Sequence, residues 1–533
     1  MKYKIAGVLS ACTMMTFGAG TAWADYNLRI LHTNDVHDRV ESVTKYNNSC
    51  AAEDDAAGKC FGGYARLATA IRDAKAQGGN VLAVDGGDQF QGSLYYSTYK
   101  GELTAKLMQM AGYDAMTIGN HEFDDGPDVL EAFIKASKMP VLSANVHPTA
   151  SSSLDGEIIP ETTIELGGEK IGLIGITTEE TPDISSPGDQ VEITNSEMAL
   201  RYSVARLRLA GVNKIIVLSH SGSYKDFELA KTVSGIDVIV GGHDHQLFSN
   251  NNEKAAYPYP VVETAPDGKP VLIVQAYAYS RYLGELDVTF DDDGVATAWS
   301  GEPIPLDASI KPAQDVLDVI ALASGKVDAV RNIKVGTFTA PADGSRETCR
   351  HMECSMGSLI ADAMLWKAGN GYQVAIQNGG GVRASIDEGT VNMGDVMTVL
   401  PFQNALATFK LSGKDIVASL EHGVSKLDED KGQFPQVAGL KFDLDTSKPV
   451  GSRVSNVMVA DGDSDGYDPI EPNKLYGVVS NDFMRNGGDG YVLFRDNATD
   501  VYDFGPNLEQ AVADYISMNS PMRPTTGDRI NLK

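Results

Sequence analysis

The chain has 533 residues, more than one hydrophobic core accommodates, so two to four domains are expected, with two large ones favoured. Hydrophobic residues at 42% and charged residues at 22% are ordinary globular values and exclude a disordered or fibrous chain. Against 44 Lys and Arg stand 72 Asp and Glu, a net charge of −28, and so acidic a surface repels phosphate backbones and argues against a nucleic-acid partner. A small anionic substrate stays open, because a metal or a local arginine cluster reverses the field inside one pocket.

In chain order, residues 1–24 read as a secretory signal: Lys2 and Lys4 form a positive start, Ile5 to Gly18 an apolar run too short to span a bilayer, and Ala22-Trp23-Ala24 a small-residue cleavage site. Lipoprotein processing at Cys12 is the alternative. A periplasmic or secreted protein is expected, with no transmembrane helix. Four cysteines remain, Cys50, Cys60, Cys349 and Cys354. As two close pairs in an exported chain they suggest Cys50–Cys60 and Cys349–Cys354 bridges, proximity alone choosing among three connectivities; a zinc-thiolate site is the alternative, without a metal-like spacing.

From Tyr26 to about residue 250, short apolar runs alternate with helical stretches, the pattern of a layered α/β domain. Pro270 to Tyr279 and Gly284 to Trp299 then read as strands, with a turn at Asp291-Asp292-Asp293-Gly294. Val316, Val319, Ile320, Ala323, Val327 and Val330 recur at helical spacing, and Pro312 suits the first turn of that helix. Beyond Gly336 a second mixed α/β pattern runs to the C-terminus, which places a boundary near residue 335.

Five short polar segments follow apolar runs and gather unusual chemistry: Asp35-Val36-His37, Gly87-Asp88, Gly119-Asn120-His121-Glu122, Ser219-His220, and Gly242-His243-Asp244-His245. Ligands of open α/β folds bind beyond strand C-termini, so the five can converge. Extended residues i and i+2 share a side, which pairs Asp35 with His37 and His243 with His245, while the glycines before Asp88, Asn120 and His243 permit sharp turns and close approach. Imidazole, carboxylate and amide donors together suit zinc, manganese, cobalt or iron better than calcium or magnesium. Seven such groups are too many for one tetrahedral ion and suit two ions sharing a carboxylate.

These five segments resemble the motifs of the calcineurin-like dimetal phosphoesterases, and Asp85-Gly86-Gly87-Asp88-Gln89-Phe90-Gln91-Gly92 narrows the resemblance to the 5′-nucleotidase family over nearly the whole chain. The resemblance implies a layered α/β (α+β) architecture: a four-layer calcineurin-like metallophosphoesterase domain over 25–310, a connecting helix over 311–335, and a mixed α/β nucleotide-binding domain over 336–533. By position it implies that Asp35, His37, Asp88 and His245 hold one metal and Asp88, Asn120, His220 and His243 the other, zinc first, with manganese or cobalt as alternatives. Family members often carry Gln or Asn where His245 stands, which bears on metal preference. His121 is then the group that stabilises the transferred phosphoryl, with Asp124 orienting its ring.

In the C-terminal half, Arg350 inside the cysteine pair, the Asn378-Gly379-Gly380-Gly381-Val382-Arg383 turn, Phe402, Phe483 and Asp489 carry anion-and-ring chemistry. The resemblance implies that Phe402 and Phe483 sandwich a base, Asp489 takes ribose hydroxyls, Asn378 touches the base, and Arg350 and Arg383 hold phosphate or ribose. Asp461-Gly462-Asp463-Ser464-Asp465-Gly466 begins like a calcium loop, but Pro472 stands where a bidentate glutamate is required, so it reads as a solvated turn. The expectation is an exported hydrolase releasing phosphate from 5′-nucleotides, its site in the interdomain cleft, monomeric or homodimeric. UDP-sugar or 2′,3′-cyclic nucleotide hydrolysis is the nearest alternative; a non-catalytic exported binding protein and a dimetal sulfur-oxidation component are the others.

Overall fold

The computed structural model describes residues 25–45, 47, 50–402, 404–460, 466–502 and 505–533; the expected signal segment with Cys12, and residues 461–465 of the solvated turn, lie outside the described residues. Runs such as Lys214-Ile215-Ile216-Val217-Leu218-Ser219-His220 are buried at every residue, as inner strands of a sheet covered on both faces must be. Two six-stranded sheets result. In the first, Tyr26–Thr33 lies between Val81–Asp85, to which it is parallel, and Tyr282–Phe290, to which it is antiparallel. In the second, Glu169–Thr177, Lys214–His220, Val238–Val240 and Pro270–Val274 run parallel side by side.

Leu28, Ile30, Leu82 and Val84 from the first sheet interdigitate with Leu173, Ile216, Ile239 and Ile273 from the second in one core. Helices Ser196–Leu209 and Ser223–Thr232 send Leu200, Leu207 and Leu229 into that core from outside the second sheet. On the first sheet's outer face, Leu31, Ala83 and Met116 pack against Tyr64–Ala76, Glu102–Ala111 and Pro127–Ser137. The arrangement is the four-layer sandwich expected.

The helix at the domain junction spans Gln314–Arg331, with Val316, Ile320, Ala323 and Val327 buried in this outer helical core. Its N-cap is Ala313, so Pro312 precedes the first turn instead of sitting in it, and Val330 is 40% exposed, beyond the apolar stripe. The strand read as Pro270 to Tyr279 stops at Val274, because Tyr277, Tyr279 and Ser280 take positive φ and turn the chain back. The meander hairpin itself forms, Asp291 Oδ1 accepting the Asp293 and Val295 amides in its turn.

The second half holds a five-stranded sheet ordered Pro435–Ala438, Val374–Asn378, Leu475–Asn481, Leu406–Ser412, Thr499–Tyr502, and a four-stranded sheet. Ser355–Ala368 and Leu508–Asn519 bury one face of the larger sheet, and Gly413–Gly423 lies over the other. Both expected disulfides, Cys50–Cys60 and Cys349–Cys354, are present.

Candidate active site

Each of the five polar segments leaves the C-terminal end of a parallel strand, and the two sheets deliver them to one place. Asp35, His37 and His245 place their donor atoms within 4.8 Å of one another, and Asp88, His220 and His243 do the same. Asp88 joins the two groups: its Oδ2 lies 3.0 Å from His220 Nε2 and 3.9 Å from His37 Nε2. Its Oδ1 accepts the His121 amide at 2.9 Å.

The pairs at spacing i, i+2 arise differently from the extended geometry expected. Asp35, His37, Asp88, His243 and His245 all have φ between 50° and 81°, so the segments are left-handed turns. Such non-glycine conformations cost about 1 kcal/mol or more each and persist where the surroundings over-determine them. In consequence His243 and His245 face different groups, one with Asp88 and His220, the other with Asp35 and His37. The glycines divide likewise. Gly87 supplies a turn at φ 90°, whereas Gly119 and Gly242 supply room, since a Cβ on Gly119 would overlap Asp88 Oδ1 and one on Gly242 would meet the Gly86 carbonyl.

The buried imidazoles are poised as donors. His37 Nδ1 faces the Phe90 carbonyl at 3.2 Å, which directs the Nε2 lone pair to within 3.0 Å of His245 Nε2. Arg383 Nη2 donates to that same His37 nitrogen at 3.2 Å, so it already faces a positive charge. His220 Nδ1 donates to Gly86 at 2.7 Å, and its buried Nε2 faces the Asp88 carboxylate 3.0 Å away. His243 Nδ1 lies 3.0 Å from Asn120 Oδ1. Burial drives His37, His243 and His245 well below the usual imidazole range, keeping them neutral. Against burial, Asp88 and then Asp35 raise His220 to about 10, so this ring carries a proton where a cation would sit. Three neutral imidazoles, this fourth one and fully buried carboxylates fit two divalent cations of the zinc, manganese or cobalt kind.

His121 and Asp124 stand beside these groups. His121 Nδ1 and Asp124 Oδ2 are 2.7 Å apart, and Ser185 Oγ donates to the other Asp124 oxygen at 2.8 Å. Burial lowers the His121 pKa, but Asp124 and then Asp88 overcome it and raise the ring above its ordinary value.

A cavity of about 580 Å³ opens between the halves, lined on one wall by Asp88, Asn120, His121 and His243, and on the other by Arg350, Asn378, Arg383, Phe402, Phe483 and Asp489. Asp35, His37 and His220 lie behind the first wall, each at 0% exposure. On the second wall Asn378 Nδ2 donates to Asp489 Oδ2 at 2.6 Å, and Asn481 donates to Asn378 Oδ1 at 3.0 Å, fixing the amide's orientation. The Phe402 ring stands 5.6 Å from His121 and from the Arg383 guanidinium, while Phe483 packs on Gly488. Every residue singled out for the site is therefore in or directly behind one cleft.

Sequence reasoning missed Arg346 and Lys431. Arg346 lines the cavity with its Nε 2.8 Å from Asp430, and Lys431 reaches across it to Glu180 at 2.7 Å. Arg346 sits one helical turn before Arg350, a spacing that flags a paired cationic face; Lys431, in a charged stretch, carries no such signal.

Four layers, paired strand-end ligand groups and a second domain closing over them define a two-domain metallophosphoesterase. The calcineurin-like phosphoesterase family matches residues 28–247, and the 5′-nucleotidase C-terminal domain matches residues 334–496. The chain is 36% identical to the Homo sapiens 5′-nucleotidase over 98% of its own length and 94% of the relative's, and 36% identical to the snake venom 5′-nucleotidase of Gloydius brevicauda over 99% and 91%. The solved 5′-nucleotidase precursor from Thermus thermophilus superposes with a TM-score of 0.90 at 37% identity, covering 95% of this chain and 99% of that one. The chain belongs to the 5′-nucleotidase family, and is an enzyme of that family. Among the described residues no helix is long and apolar enough to cross a membrane.

Proposed function

We propose that this protein is an exported hydrolase that removes the 5′-phosphate of nucleotides such as AMP, giving nucleoside and phosphate. The reading rests on one observation above all: a paired set of buried imidazole and carboxylate donors faces an arginine- and phenylalanine-lined wall across a single cavity. The names of the relatives agree with it, and the signal-like residues 1–24 support export.

Asp35, His37, Asp88 and His245 would hold one divalent ion, and Asp88, Asn120, His220 and His243 the other. When bound, the ions supply Lewis-acid charge to phosphoryl oxygens and acidify a water. Arg350 and Arg383 hold phosphate or ribose, bidentate guanidinium being suited to the phosphate. Phe402 and Phe483 stack on the base, a contact that tolerates any base, while Asp489 accepts the ribose hydroxyls and Asn378 touches the base. His121, oriented by Asp124, which favours its charged form, donates to the transferred phosphoryl as water attacks phosphorus in line, the P–O ester bond breaks, and the proton the water gives up ends on the 5′-oxygen. Residues 25–310 form the catalytic unit and 336–533 the substrate unit, joined through 311–335.

Phosphate release from AMP, with UDP-glucose and ATP alongside, before and after chelation and metal add-back, tests the reading. Chelator-sensitive release from AMP is expected, and the relative rates set the substrate range. No release from any of the three by protein carrying its metals would overturn it.

A further inference from the structure

Glu122 lies beside His121 in the Gly119-Asn120-His121-Glu122 segment, yet faces away from the cavity and is 0% exposed. Its carboxylate gathers four backbone amides. Oε2 accepts from Asp88 at 3.0 Å and Gly119 at 2.6 Å; Oε1 accepts from Gln89 at 2.7 Å and Phe90 at 3.1 Å. Four N–H donors match the four acceptor sites of one carboxylate. Three of them come from the turn that carries Asp88, whose φ of 57° follows Gly87 at 90°, and the fourth from the turn that carries Asn120 and His121. A left-handed turn leaves successive amides without ladder partners, and this carboxylate supplies them all.

We propose that Glu122 is a positioning residue that clamps the Asp88 turn to the Asn120–His121 turn, and so sets the separation between the shared metal carboxylate and the donors beside it. The inference rests on the dimetal reading of the site. Glu122 itself touches neither ion nor substrate. Glutamine would turn an NH₂ toward two of the amides, and aspartate would withdraw the carboxylate by one methylene.

The test compares Glu122→Gln and Glu122→Asp with wild type and with Glu302→Gln. Glu302 accepts the amides of Asn250 and Asn251 in a loop outside the cavity and serves as the control for losing an amide-binding carboxylate. Metal-free proteins are titrated with Zn²⁺ and Mn²⁺ by calorimetry, Co²⁺ absorption spectra are recorded, and AMP kinetics are followed as metal is raised. The Glu122 variants are expected to bind metal about 10- to 100-fold more weakly, as loss of groups orienting metal ligands does. Their Co²⁺ spectra should shift, and their turnover should be partly restored by excess metal at near-normal KM for AMP. Glu302→Gln should keep wild-type metal affinity. Wild-type metal affinity and spectra in both Glu122 variants would overturn the inference, as would an equal metal defect in Glu302→Gln. Should Glu122→Gln fail to fold, Glu122→Asp carries the comparison. A wild-type protein that takes up no pair of ions would overturn the dimetal reading, and this inference with it.

Discussion

The two walls of the cleft are built on opposite plans. On the first, Asp35, His37, Asp88 and His220 are at most 1% exposed, the first three in left-handed turns, and are gripped by backbone groups such as the Gly86 and Phe90 carbonyls and the His121 amide. On the second, Arg350, Arg383, Phe402, Phe483 and Asp489 are half-buried side chains on loops and short helical turns: Arg350 donates to the Asp430 carbonyl, Asp489 accepts from Asn378, and Arg383 reaches across to His37. A cation demands donors fixed to a fraction of an ångström, whereas a nucleotide that enters and leaves each cycle needs a wall with room to give. If that contrast holds, lesions on the first wall destroy chemistry and lesions on the second weaken recognition. Asp88→Asn is the severest way to probe it, because that carboxylate faces both donor groups. Loss of both ions by elemental analysis and a fall in AMP turnover of about 10³-fold or more are expected, with the fold retained. Two tightly held ions in the variant would break the first half of the contrast.

His121 sits on the first wall yet belongs to neither donor group, so His121→Ala separates chemistry from metal holding. Its turnover should fall by about 10²- to 10³-fold while two ions remain bound. On the second wall, Phe402→Ala or Phe483→Ala should raise KM for AMP by roughly 5- to 150-fold, the equivalent of about 1–3 kcal/mol of base stacking. The same variants should leave hydrolysis of ribose 5-phosphate, which has no aromatic face to stack, nearly unchanged, because the contact needs a π-face. A loss of turnover on both substrates would make these rings part of the chemical machinery and erase the distinction between the walls.

The same contrast explains what could be read from the sequence. Strand-end ligands announce themselves, because an apolar run such as Ile215-Ile216-Val217-Leu218 fixes the strand and leaves Ser219-His220 at its end. Five such ends point to one place before any coordinates exist. The handedness of the turns was not legible: Asp35-Val36-His37 reads equally as extended backbone, and only the bonds of the Asp35 and His37 amides to the distant Gly87 and Asp88 carbonyls show why it is not. Nor were partners supplied by distant turns. Nothing local marks Lys431, whose place on the cavity depends on reaching Glu180 some 250 residues earlier, and Glu122 was visible as a motif member while its four amide partners were not.

A last comparison runs along one strand, from its site end to its far end. Val238–Val240 leads into His243, and Asp237 precedes it at the opposite end, 2% exposed, accepting the Ile215 amide at 2.8 Å. Burial pushes the Asp237 carboxyl up to about 7, against a pull downward from that amide, while in an unfolded chain it sits at ~3.9. Between those values the native state holds a proton that the unfolded state has lost. The carboxyl's contribution to stability is therefore complete below about pH 4 and declines as pH rises through about 7, becoming constant above. Asp237→Asn keeps a carbonyl acceptor for Ile215 and removes the charge. The variant should match wild type near pH 4 and exceed it by on the order of 3–4 kcal/mol at pH 8, in urea midpoints taken across that range, with AMP hydrolysis unchanged. A variant less stable than wild type at pH 8 would mean that the charged carboxylate stabilises this end of the strand, making the far end as dependent on its ions as the site end.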